Sequence, residues 1–187
     1  MDRSDELLVT EYRNGSSEAF TTLIDRYSGP IYSFARRMTG SRKDADDITQ
    51  ETFIKVWKRL DRYDDKSLFK PWLFTIARNT IIDHLRKKKS FVFSDFENDD
   101  ETNPLTDTLV DEATLPDRLI EKADAEGLLD EALSHIAPED REILLLHYAD
   151  DLTFETIGEL LKKPLNTVKS RHRRALEKLR KSLENTP

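Results

Sequence analysis

At 187 residues the chain suits two small domains or one of medium size. Hydrophobic residues make up 37% and charged residues 36%, and the absence of cysteine excludes disulfides and thiolate metal sites. The formal net charge of −7 speaks mildly against a polyanionic partner, but it is unevenly spread: residues 1–60 net to 0, 61–89 to +4, 90–160 to −18 and 161–187 to +7.

Two basic islands therefore flank an acidic middle, and local field rather than net charge decides where a polyanion docks. No apolar run approaches the roughly 20 residues needed to cross a bilayer. The N-terminal stretch MDRSDELLVT is charged and lacks the apolar core of a signal peptide. A cytoplasmic protein with no membrane insertion is the expectation.

Helical periodicity dominates, and no stretch alternates as a strand does. Residues 4–13 and 16–39 read as helices whose buried stripes hold Leu7, Leu8, Phe20, Leu23, Ile24, Tyr27, Ile31, Phe34 and Met38. Gly40 ends the second helix, because glycine tolerates the left-handed cap conformation. Ser41 opens a third helix as its N-cap, with Asp44 in the first turn, running to about Leu60. Ala45, Ile48, Thr52, Val56 and Leu60 share one face. Asp46, Asp47, Gln50, Glu51, Ile54 and Lys58 share the other, which on its own is an ordinary wet face.

A loop follows, and Pro71 suits the first position of a fourth helix carrying Trp72, Leu73, Ile76, Ala77, Ile81 and Leu85. Around it, Tyr63, Phe69, Trp72 and Phe74 interleave with Arg62, Lys66, Lys70, Arg78 and the basic run 86–89. That mixture suits unpaired DNA, where aromatics stack on splayed bases and cations follow phosphates. The other reading makes the aromatics core and the basic run a solvated helix end favoured by the dipole. Asn79 and Asp83 lie four apart on one helix face and suit base edges.

Residues 90–120 break every period and are acidic, with Pro104 and Pro116. This is linker composition. Beyond it the chain is helical again at about 118–136, 138–149, 153–161 and 166–183, the outline of a helix-turn-helix. Thr153 caps a short helix carrying Phe154, Ile157, Leu160 and Leu161. Pro164 blocks its continuation, and Asn166 or Thr167 caps the next helix. There Val168, His172, Ala175, Leu176, Leu179 and Leu183 form the buried stripe, leaving Lys169, Ser170, Arg171, Arg173 and Arg174 outward. Such a helix fits the major groove, where Arg and Lys reach guanine edges and phosphates. Arg171 and Arg174, three apart, are expected on nearly one face and on bases, with Lys178 and Arg180 on phosphate or in solvent.

The segments DADDITQETFIKVWKRL (44–60), FKPWLFTIARNTIIDHLRKKK (69–89) and NTVKSRHRRALEKLR (166–180), in this order, closely resemble bacterial sigma factors of the extracytoplasmic-function type. The resemblance covers nearly the whole chain except the linker. It implies an all-α protein of two small helical domains joined by a flexible acidic linker, the second a helix-turn-helix. The domains fall at 1–89, a sigma region-2-like domain for the polymerase clamp and minus-ten element, and 118–187, a region-4-like domain for the minus-thirty-five element, with the linker at 90–117.

By motif, Asp47, Gln50, Glu51, Phe53 and Trp57 would dock on core RNA polymerase. Arg62, Lys66, Phe69, Asn79, Asp83 and Arg86 would capture the melted element. Thr167, Lys169, Ser170, Arg171, Arg173 and Arg174 would read the upstream element. Promoter DNA and core polymerase are the implied partners, with an anti-sigma factor besides. Two departures stand out: the family often has Gly-Thr-Val where Asn166-Thr167-Val168 stands, and it usually has Ala at Gly158 and often Gly near Lys163.

A conventional regulator of duplex DNA would explain residues 152–180 but not a separate aromatic-basic domain. For an enzyme, His84, His135, His147 and His172 lack metal-ligand spacing, and no glycine-rich phosphate loop exists. No catalytic residue, metal, cofactor or small-molecule substrate is expected.

Overall fold

The computed structural model describes residues 3–90 and 128–184. Nearly all of the expected linker, and the first part of the helix expected from 118, lie outside the described residues. Among the described residues every regular element is helical.

Helix α1 (Asp5–Arg13) starts at Ser4, whose hydroxyl accepts the Leu7 amide at 3.2 Å. Helix α2 (Ser17–Thr39) ends where Gly40 adopts φ 70° and donates its amide to Arg36 O at 2.8 Å, a left-handed cap that glycine takes without strain. Helix α3 (Arg42–Arg59) is capped by Ser41, which accepts the Asp44 amide at 3.2 Å. A 3-10 turn (Leu60–Arg62) leads into the loop before α4 (Phe69–Ser90). That helix begins two residues before Pro71. Pro71 still sits in the first turn, where an amide hydrogen would have no helical partner.

These four helices enclose one core, with Leu8, Leu23, Ile31, Ile48, Leu73 and Phe74 sealed inside and Phe34 edge-on to Phe74 at 5.7 Å. The expected inward faces of α3 and α4 hold, Trp72 and Leu85 being only partly buried. In α1 the inward face is displaced by one residue: Val9 is sealed with Leu8, while Leu7 is 47% exposed. A nine-residue helix packed at one end shows too few turns for periodicity alone to fix its phase. Arg13 ties α1 to the loop: its guanidinium donates to Leu60 O at 2.9 Å and to Tyr63 O at 2.5 Å and pairs with Asp65 at 2.7 Å.

The second unit comprises α5 (Leu128–Ser134), α6 (Pro138–Leu144), a π turn (Leu145–Ala149), α7 (Phe154–Leu161) and α8 (Leu165–Glu184). Its core gathers Leu133, Ile143, Leu146, Ile157, Val168 and Leu179. The two units touch. Arg78 on α4 pairs with Glu142 on α6 at 2.7 Å, and Arg36 at the end of α2 pairs with Asp130 on α5 at 3.0 Å.

Candidate nucleic-acid interface

Helix α7, its turn and α8 form the expected helix-turn-helix. Thr153 caps α7, its hydroxyl accepting the Thr156 amide at 3.2 Å. The turn then closes without glycine at its left-handed position, because Lys162 takes φ 54° and ψ 42°. Glycine stands instead at Gly158, whose carbonyl accepts the Lys163 amide at 2.9 Å. A Cβ there would lie 3.0 Å from Lys163 O, so the missing side chain lets the turn fold tightly against α7. The glycine at Gly158 and the lack of one near Lys163 thus belong to one local arrangement. Neither Asn166 nor Thr167 is the cap: α8 starts at Leu165, and Pro164 O accepts the Val168 amide at 3.1 Å.

The buried stripe of α8 is as expected, from Val168 through His172, Ala175 and Leu176 to Leu179. His172 is packed against Tyr148, Phe154 and His147, with ring centroids at 5.6, 4.7 and 5.2 Å. Burial, and the nearby His147, push its imidazole down to about 4, so it is neutral at physiological pH. On the outer side Lys169 and Arg174 are exposed, while Thr167, Ser170, Arg171 and Arg173 are half-buried. The Ser170 hydroxyl donates to Thr167 O at 3.0 Å. Arg171 and Arg174 do not share one environment. Arg171 leans toward Asp140 on α6, Nη1 to Oδ1 at 3.9 Å, and lines a small cleft with Arg78, Glu142, Lys163 and Thr167.

In the first unit the cations Arg62 and Lys66 are exposed, as are Asn79 and Arg86 on α4, with Asp83 held by Arg86 at 3.2 Å. Phe69 is not at this surface. It is sealed among Tyr27, Tyr63 and Trp72, with ring centroids at 5.8, 5.9 and 5.7 Å, and offers no face to a base. Of the two readings of the aromatics, core wins for Phe69 and Phe74, because their rings fill the space between α2 and α4. The exposed large apolar side chain of this loop is its neighbour Leu68.

On α3, Asp47, Gln50 and Trp57 face outward, Trp57 with 54% of its surface exposed. Glu51 is half-covered and paired with Lys55 at 2.8 Å, which holds its carboxyl below the usual range. Phe53, expected on this outward face, turns into the core instead, as does Thr52. Ile54, half-exposed between Gln50 and Trp57, completes the face; its apolar character on a polar stripe was the available signal. No helix among the described residues is long and apolar enough to cross a membrane.

Residues 23–91 match the family described as Sigma-70 region 2, and residues 132–181 match Sigma-70, region 4. The chain is 32% identical to the ECF RNA polymerase sigma factor SigW of Bacillus subtilis over 178 residues, 95% of each chain. It is 29% identical to the ECF RNA polymerase sigma-E factor of Haemophilus influenzae, covering 97% of this chain and 96% of that one. Its fold matches the solved structure of CnrH in complex with the cytosolic domain of CnrY, with a TM-score of 0.71, 22% identity, and coverage of 99% of this chain and 100% of that chain. A second likeness is the sigma factor RpoE of Bartonella quintana in complex with the anti-sigma factor NepR, with a TM-score of 0.66, 23% identity, and coverage of 90% and 98%.

Proposed function

The chain belongs to the RNA polymerase sigma factors of the extracytoplasmic-function type, and from that premise we propose how its surfaces divide promoter recognition and transcription initiation. The domains run 1–89 and 118–187 with the linker at 90–117. Asp47, Gln50, Ile54 and Trp57, with Glu51 at the edge, form the docking face for core RNA polymerase. Two exposed polar residues and the half-covered Glu51 around two exposed apolar ones fit a protein partner better than DNA. Arg62, Lys66, Asn79 and Arg86, with Asp83 beside them, face the melted minus-ten element. Leu68 takes the place by the bases that Phe69, being core, does not have. Thr167, Lys169, Ser170, Arg171, Arg173 and Arg174 serve the minus-thirty-five element, Lys169 and Arg174 being the side chains open to it now. An anti-sigma factor is a further partner, the protein works in the cytoplasm, and the chemistry of RNA synthesis is the polymerase's alone.

The observation that carries this division is the α3 face: Trp57 and Ile54 stay in water next to Gln50 although the core behind them is complete. An exposed tryptophan flanked by polar groups marks a binding anchor, whose truncation costs about 2 kcal/mol or more. Trp57→Ala is expected to weaken capture of core polymerase roughly 30-fold, with unchanged helicity. Gln50→Ala with Glu51→Ala is expected to weaken it less, since Glu51 is already committed to Lys55. Wild-type capture and promoter-specific transcription by the Trp57 variant would return this face to plain solvent.

A further inference from the structure

The two faces that meet between the units are opposite in charge. On the first unit stand Arg36 and Arg37 at the end of α2, and Lys70 and Arg78 on α4. On the second stand Asp130 on α5, Glu142 on α6 and Asp150 after the π turn. Arg36 and Arg37 reach opposite oxygens of Asp130 at 3.0 and 3.5 Å. Arg78 Nε lies 2.7 Å from Glu142 Oε1, and the Glu142 side chain is only 6% exposed. Asp150 is sealed, in the positive field of Lys70 and Arg37. Arg141 adds a hydrogen bond to Arg37 O at 3.0 Å.

Units built to stay together meet through large apolar surfaces, whereas charge-on-charge contacts loosen with salt. Arginine presents a planar fork that binds carboxylate and phosphate alike, and a row of such cations is what a nucleic-acid backbone requires. Carboxylates set against that row satisfy the same donors. Resting on the sigma-factor reading above, we propose that Asp130 and Glu142 form an intramolecular stand-in for the DNA backbone: they occupy Arg36, Arg37 and Arg78, and DNA must displace them to use that face. The same contact draws Arg78 over the cleft that Thr167 and Arg171 line, so part of the reading end of α8 is covered while the acids are docked. One separation exposes both surfaces.

The chain has no cysteine, so a fluorophore pair can be placed on the full-length protein at Glu18→Cys and Glu159→Cys, both exposed positions, one on each unit. At low salt the wild type gives high energy transfer. Mixed-sequence DNA lowers that transfer in step with its own binding, followed by the anisotropy of a labelled strand. Glu142→Gln with Asp130→Asn starts with low transfer and binds the same DNA about 5- to 10-fold more tightly, the size of an ordinary coupling between sites. Asp46→Asn with Asp61→Asn changes net charge equally, away from the contact, and sets the baseline for that comparison. Raising salt opens the wild type without any substitution, so the result does not depend on a variant's folding. The proposal is overturned if DNA binds while transfer stays high, if salt leaves transfer unchanged, or if the interface variant binds no more tightly than the remote one. Sigma-factor function is tested apart from this, by promoter-specific transcription with core polymerase, and survives either outcome.

Discussion

Two buried groups in the second unit titrate in opposite senses over nearly the same pH range, and separating them gives a sharp test of the packing described above. Burial pushes the His172 imidazole from 6.5 down to about 4. The folded state therefore takes up its proton later than the unfolded chain does. Stability from this residue is complete above pH 6.5 and is lost as the pH falls through 4. At about 1.4 kcal/mol per pH unit the loss is roughly 3 kcal/mol. Burial pushes the Asp150 carboxyl the other way, from 3.8 up to about 7, even though Lys70 and Arg37 pull it down. Its contribution is complete below pH 3.8 and is lost as the pH rises through 7, a change of roughly 4 kcal/mol.

In the wild type these two changes nearly cancel between pH 7 and 4. Substitution separates them. Asp150→Asn removes the acid-side gain, so its stability relative to wild type should fall by roughly 4 kcal/mol on acidification over that range. His172→Gln removes the acid-side loss, so its stability relative to wild type should rise by roughly 3 kcal/mol. Urea unfolding followed by circular dichroism at pH 7.5, 6, 5 and 4 gives both curves. Taking each variant against wild type at the same pH cancels every other titrating group. If both differences are flat across the range, neither side chain is buried as described, and the placement of His172 of α8 against the π turn and of Asp150 facing the first unit is wrong.

The turn of the helix-turn-helix yields two further stability predictions. Gly158→Ala places a methyl 3.0 Å from a backbone oxygen, so it should destabilise the unit by about 1 kcal/mol despite alanine's better helix propensity, as read by thermal unfolding. Lys162→Gly relieves a left-handed non-glycine residue and should stabilise it by up to about 1 kcal/mol in the same measurement. For recognition, binding-site selection with the full chain and core polymerase should show Arg174→Ala weakening the upstream contact. Arg171→Ala should also remove the Asp140 contact, so its effect divides between selectivity and stability, and the two variants should differ in unfolding midpoint as well as in selected sequence.

Several helix ends were legible because they carry their own punctuation: Ser41 before Arg42, Gly40 after Thr39, Thr153 before Phe154. Cap chemistry acts over three or four residues, and a single sequence displays it fully. The inward stripes of α3, α4 and α8 were legible for the same reason, each being long enough for its period to repeat several times. What periodicity could not supply was the depth of a side chain at the edge of a stripe. Phe53 and Trp57 lie four apart on α3, yet one is buried and the other half in water, a difference that the period of the helix does not carry. Phe69 reads as a loop aromatic until α4 begins two residues early and pulls its ring inward. Gly158 and the lack of glycine near Lys163 read from sequence only as a departure from a family pattern. Only the approach of a backbone oxygen to within 3.0 Å of the missing Cβ makes them one solution to closing a turn.

Charge was the least local signal, and it shows how segment totals mislead. Residues 90–160 sum to −18, a value that fits a solvated linker between two DNA-binding islands. Within the described part of that stretch, however, three of the acids are paired with cations of the two units. Asp140 lies between Arg171 and Lys178 of α8 at 3.9 Å from each. Glu142 is buried against Arg78, and Asp130 is shared by Arg36 and Arg37. A positive island in a sequence states that something anionic will sit on it. It does not state whether that anion is a promoter or the chain's own carboxylates, since both offer oxygen acceptors to the same guanidinium forks. On the proposed division, Arg171 of the reading face also lies beside Asp140, and α4, proposed to face the melted element, also holds Glu142 through Arg78. On the proposed contact, affinity for DNA is a difference between two anions competing for one set of cations, and Asp130 and Glu142 enter it although neither touches a base.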